Sequence, residues 1–131
     1  GTDSVSLGYG NTVNGDYSFA MGRDNTVTED HAVAMGRDNT TSGDYSIAVG
    51  YNNEADGDNS IAMGWINRSV GDYSVAMGDT NEAGQDSSVA LGKGNKINTN
   101  GHTGGFVCGR YSKIRFIFNM IFNKFFIIKC S

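Results

Sequence analysis

One glycine sets the frame of this chain. Gly8, Gly22, Gly36, Gly50, Gly64, Gly78 and Gly92 stand 14 residues apart without exception. The words that end on them are SVSLG, SFAMG, AVAMG, SIAVG, SIAMG, SVAMG and SVALG. Three residues after each glycine comes an asparagine: Asn11, Asn25, Asn39, Asn53, Asn67, Asn81 and Asn95. Eight residues after it comes an aspartate (Asp16, Asp30, Asp44, Asp58, Asp72, Asp86), with Asn100 last. Phe106-Val107-Cys108-Gly109 reads as an eighth copy, three residues late, after the insertion-like Gly101-His102-Thr103-Gly104-Gly105. Ladders that stay in phase over so many copies restrict the fold more than composition does.

A 14-residue unit is less than half the length of a helix pair. Its Val- and Ile-rich word, bounded by Gly, Asn and Asp, reads as a short strand between turns. A second, weaker strand runs through residues such as Thr12-Val13-Asn14. Two short strands and two turns make one coil, and equal coils stack in register. The expected fold is therefore all-β, a parallel β-roll or solenoid. At about 4.8 Å per coil, seven coils give a rod roughly 34 Å long.

Alternation along a strand sorts the side chains. In Ser74-Val75-Ala76-Met77-Gly78, one face carries Val75 and Met77 and the other carries small residues. The small face repeats as Ser6, Ala20, Ala34, Ala48, Ala62, Ala76 and Ala90, which suits the narrow inside of a thin roll. Val13, Val27, Ala55, Ala83 and Ile97 are candidates for the opposing wall. The large face carries Val5, Leu7, Phe19, Met21, Val33, Met35, Ile47, Val49, Ile61, Met63, Val75, Met77, Val89 and Leu91. A 14-residue coil has no third layer to cover it. Left bare, the strip would measure on the order of several hundred Å², which monomers rarely expose. Identical strips on sister chains are the simplest cover, and closed rotational symmetry follows. We expect a homotrimer with these side chains on its axis. The alternative cover is the chain's own tail.

The words SIAMG, SVAMG and SVALG, spaced by 14 and joined by NT/NE and GDYS segments, resemble the head repeats of trimeric autotransporter adhesins. These are the YadA-like, or Hep/Hag, repeats, and the resemblance spans residues 4–112. It implies a left-handed roll assembled as a tight trimer. It also implies a cell-surface location on the bacterial outer membrane and binding to host or extracellular-matrix proteins or glycans. The sequence shows no signal peptide, stalk heptads or membrane barrel. It is expected to be a head fragment that meets a membrane only through anchor regions outside it. Similar repeats occur in phage and viral fibres, so a structural or receptor-binding fibre segment is the alternative. A third reading is an ice-binding solenoid: Thr12, Thr26 and Thr40 begin a regular array, but Glu54, Arg68 and Glu82 end it.

Charge narrows the partners. Up to Gly109, five bases set against 14 acids leave −9, whereas the last 22 residues carry five bases and no acid. An acidic body repels phosphate backbones, so nucleic acid is not an expected partner. With 19 Gly and no Pro among 131 residues, neither a helical bundle nor collagen fits. Cys108 and Cys130 are too few for a disulfide framework or a zinc site.

No catalytic set, metal centre or cofactor motif is visible, and enzyme activity is not expected. His31 stands where Tyr17, Tyr45 and Tyr73 stand in sister coils and reads as a surface substitution. The Asp ladder offers carboxylates to a cation such as calcium. Its simpler reading is turn chemistry, each Asp bonding its own backbone. The Asn ladder has a similar reading, since Asn tolerates the left-handed conformation and stacked Asn can bond between coils. Tyr17, Tyr45 and Tyr73, with Tyr51 and Trp65, are the candidate binding surface, since exposed aromatics on a rigid rod can meet protein or glycan. Tyr9 shares the position after the glycine with Tyr51 and Trp65.

After Ser112 the pattern stops. Residues 113–131, KIRFIFNMIFNKFFIIKCS, form a separate Phe-, Ile-, Asn- and Lys-rich tail. It is too short and too polar to span a membrane. As a helix it would carry a polar stripe of Arg115, Asn119 and Asn123 and could lie on a membrane surface. The plainer expectation is a non-native or disordered extension.

Overall fold

The alternation of large and small residues, broken at each repeat by Gly and Asn, gives a long strand, a corner, a short strand and a second corner. The computed structural model describes residues 1–98, 104–115 and 128–130. In chain order the strands are β1 (Val5–Tyr9), β2 (Thr12–Val13), β3 (Phe19–Arg23), β4 (Thr26–Val27), β5 (Val33–Arg37), β6 (Thr40–Thr41), β7 (Ile47–Tyr51), β8 (Glu54–Ala55), β9 (Ile61–Trp65), β10 (Arg68–Ser69), β11 (Val75–Asp79), β12 (Glu82–Ala83), β13 (Ser88–Lys93), β14 (Lys96–Asn98), β15 (Gly105–Arg110), β16 (Lys113–Arg115) and β17 (Ile128–Cys130). Odd-numbered strands form one nine-stranded sheet and even-numbered strands an eight-stranded one. Every pairing is parallel. The chain is a parallel β-solenoid of 14-residue coils.

Register carries the repeat into space. Val5 pairs with Phe19, Phe19 with Val33 and Val33 with Ile47, so residues 14 apart sit in one column. After Asn98 the step lengthens to 17, with Ser88 opposite Gly105 and Lys96 opposite Lys113. Three extra residues are thus absorbed at one corner and the eighth copy resumes the stack. The short-strand sheet continues into β16 and the long-strand sheet into β17, where Phe106 pairs with Ile128. Asn100, His102 and the tail's amphipathic stretch at 116–127 fall outside the described residues. Cys108 is disulfide-bonded, which the cysteine count had not suggested.

The core is one side chain thick. Ala20, Ala34, Ala48, Ala62, Ala76 and Ala90 are fully buried from one sheet, and Val27, Ala55, Ala83 and Ile97 from the other. Thr41 and Ser69 complete that second wall, while Val13 is only partly covered. Glycine is obligatory where the long strand turns away. Gly36 has a φ of 118°, closed to L side chains, and a Cβ there would strike the Gly50 carbonyl of the next coil.

Two turn readings need correction. The asparagines do not hold the left-handed conformation. The residue just before each does: Asp24, Asp38, Asn52, Ile66 and Thr80 have φ between 49° and 58°. From Asn25 to Asn95 the asparagines are instead buried inside the corner, and Asn11 in the first coil is half-buried. Asn53 Nδ2 donates to Asn39 Oδ1 at 3.0 Å, Val49 O at 3.1 Å and Gly64 O at 2.9 Å. Its Oδ1 accepts from the Asn67 backbone N–H and Nδ2. The aspartates do not bond their own backbone either. Each accepts, through Oδ1, the backbone N–H of the residue 14 positions earlier, Thr2 for Asp16 and the preceding aspartate for the rest, as in Asp44 N–H to Asp58 Oδ1 at 3.0 Å. Both ladders therefore tie coil to coil.

Candidate binding surface

A stacked roll turns each repeat position into a column, so the outside is a set of parallel stripes. The apolar stripe lies on the outer face of the long-strand sheet, opposite the buried alanines. None of its 14 side chains is buried. Val5, Leu7, Met21 and Met77 are exposed, at 44%, 50%, 38% and 38%. Phe19, Val33, Met35, Ile47, Val49, Ile61, Met63, Val75, Val89 and Leu91 are half-buried, flanked by neighbours in their own column.

The aromatic candidates fall into two columns. Tyr17, His31 and Tyr45 occupy one, with ring centroids 5.3 Å and 4.6 Å apart and nearly parallel planes. His31 is thus a member of the stack, its ring held between two tyrosines. All three are left-handed turn residues, as are Asn59 and Tyr73 in the same column. Tyr73 is 65% exposed, with Asn59 and Ser87 on its two sides, so no ring covers either face. The second column runs Tyr9, Arg23, Arg37, Tyr51, Trp65, Asp79, Lys93. Tyr51 and Trp65 stack at 4.3 Å, and the guanidiniums of Arg23 and Arg37 lie over Tyr9 and Tyr51 at 5.9 Å and 5.5 Å. Sequence reasoning singled out the rings and missed the arginines between them. Their shared phase after the glycine was the available signal.

The outer face of the short-strand sheet is polar. Arg68 donates to Glu54 Oε2 at 2.7 Å and to Asp56 Oδ2 at 3.0 Å. Burial and the nearby Glu54 push the Asp56 carboxyl up, and Arg68 only partly offsets them. Lower in the roll, the Lys93 ammonium hydrogen-bonds Asp79 and holds its carboxyl below the usual carboxylate range. A groove of about 350 Å³ runs across three coils at this corner, lined by Asp38, Thr40, Asn52, Glu54, Ile66 and Arg68, with Asn53 and Asn67 behind them. Nothing in the sequence reading singled out Ile66. Its signal was being the aliphatic residue in a column of Gly, Asp, Asn and Thr.

Among the described residues no group of three or more His, Cys, Asp or Glu is placed to hold a metal ion. The Asp ladder spends one oxygen of each carboxylate on backbone N–H groups. No helix among the described residues is long and apolar enough to cross a membrane.

The YadA head domain repeat, defined as two copies, matches residues 1–25, 28–53, 42–65 and 69–95, together well over half of the chain. The chain belongs to the YadA head family. The YadA head matches cover the coils that step by 14 and stop just before the corner where the step becomes 17. No curated protein matches the chain in sequence. Membership in a YadA head family points to an adhesin-type, surface-exposed segment.

Proposed function

We propose that the chain is the head of a non-enzymatic surface adhesin. Three copies of a left-handed roll join along their apolar stripes, and the outer columns meet host or extracellular-matrix molecules. The observation that carries this reading is the outward stripe of 14 aliphatic, Met and Phe side chains, none of them buried within one chain. Fully burying such a side chain is worth about 1.5–3 kcal/mol. Well over half of that area is already covered within the chain, so association would contribute on the order of 10 kcal/mol per chain before ordering entropy. A three-fold axis brings every stripe against two others and leaves the polar faces outward.

The test is mass in solution. The chain is expected at three times its 14.0 kDa. Met35→Asp with Met63→Asp puts charge into the stripe and should give monomers. A parent that stays monomeric at micromolar concentration removes the assembly. Failure of the trimeric parent to attach to host cells or matrix-coated surfaces removes the adhesin role.

A further inference from the structure

Ile66 is in the wrong place for the fold's own needs. Its column holds Gly10, Asp24, Asp38, Asn52, Thr80 and Gly94; of these only Thr80 is also β-branched, and its hydroxyl donates to Asp79 Oδ1 at 2.6 Å, so Ile66 is the one aliphatic residue in the column. Ile66 has a φ of 52°, and a β-branched side chain is a poor fit there. Burial does not compensate, because Ile66 is 40% exposed. Strain that packing does not offset points toward a site. The site beside it is the corner groove, and we propose that this groove binds a neutral oligosaccharide. The proposal rests on the adhesin reading and names the ligand class of its surface.

Three observations converge on that chemistry. First, the walls present Asp38, Asn52, Thr40 and Glu54, a set of hydroxyl, amide and carboxylate groups suited to vicinal sugar hydroxyls, around one aliphatic contact, Ile66. The volume of about 350 Å³ is at the small-ligand end of binding sites and offers too little area for a stable protein interface. Second, the nearby bases are already paired and outnumbered by acids: Arg68 is held by Glu54 and Asp56, and Arg37 by Asp38 at 3.1 Å. No cation is left for a sulfate or carboxylate, and the body carries −9, from 14 acids and five bases up to Gly109. A neutral ligand fits where an anionic one is repelled. Third, the groove lies on the outer side of the short-strand sheet, away from the apolar stripe, so the proposed trimer leaves it open. Trp65, one residue before Ile66, stacks on Tyr51 on one side and has Asp79 as its register neighbour on the other. One face of the indole therefore has no ring against it.

Trp65 is the chain's single tryptophan, so its emission reports on the end of β9 next to Ile66. The intact trimer is titrated with maltohexaose, cellohexaose and chitohexaose, and with a heparin hexasaccharide as the charged probe. At least one neutral oligosaccharide is expected to change the emission saturably, and the heparin fragment is not. Ile66→Asn should raise the melting temperature, because Asn accepts the left-handed turn, and weaken that binding at least tenfold. A gain in stability with a loss of binding separates the site from a folding defect. No response to any neutral probe, a response to heparin alone, or undiminished binding by Ile66→Asn overturns the proposal. A deglycosylated matrix protein that shifts Trp65 emission while the neutral sugars do not also overturns it. Attachment to cells is scored separately. Attachment without saccharide binding defeats the groove and leaves the adhesin, whereas saccharide binding without attachment does the reverse.

Discussion

At the scale of single residues, the Asn ladder ties each coil to the next through side-chain hydrogen bonds. Each amide both donates and accepts within a corner that excludes water, and only a short amide side chain does both at that length. Asn53→Ala would strip partners from Val49 O, Gly64 O and the Asn67 backbone N–H, all in the corner. A buried group left unpaired costs about 1–3 kcal/mol, so the variant should lose about 3 kcal/mol or more in urea unfolding. Asn53→Asp should lose more, because a carboxylate cannot donate and would be charged where Asn53 is 1% exposed. Equal stability of Asn53→Ala and the parent would show the ladder to be ornamental. The spacing of these asparagines was plain in the sequence, and their bonding between coils was one of the two readings offered. Their conformation was not legible. The left-handed positions hold Asp, Asn, Ile, Thr, Tyr, His and Ser, a mixture with no single chemical mark.

At the scale of strands, alternation predicted both walls. The long strand and the short strand at Thr12–Val13 lie where the pattern put them, with alanines inward and Val, Ile, Met and Leu outward. The polar outer face was harder to read, since its partners are 12 and 14 residues apart and meet only once register is known. Asp56 makes this face measurable. Its folded pKa is raised, so the folded chain holds the proton more tightly than the unfolded one. The ionised form is thus the disfavoured one, and stability from the protonated form fades as pH rises through the carboxylate range. Asp56→Asn keeps an acceptor for Arg68 and removes the charge. It should match or exceed the parent's stability at pH 7, with the difference shrinking toward pH 3. A large loss at pH 7 would mean that the Arg68 ion pair outweighs the burial of Asp56.

At the scale of the whole molecule, contacts are almost all between one coil and the next, so stability grows coil by coil. Deleting one full coil, residues 40–53, should leave a shorter roll that still melts cooperatively, a few degrees lower. Deleting residues 41–53 removes one fewer and leaves a single coil of about 15 residues, whose extra residue must be taken up at a corner as the three extra residues after Asn98 are, so the roll should still fold but melt lower than the clean deletion. Circular dichroism melts of the two chains decide the matter. The repeat made the solenoid legible from sequence because periodicity survives changes at any one position. What the columns display was less legible, because the groove exists only where three coils happen to bring Thr40, Asn52 and Ile66 together. The lengthened step after Asn98 shows how such a frame can change. Extra residues enter at a corner and the winding resumes beyond them, so the perimeter can grow locally while the spine stays the same. A lineage built this way can try out new loops one at a time, and each failed trial leaves the scaffold available for the next.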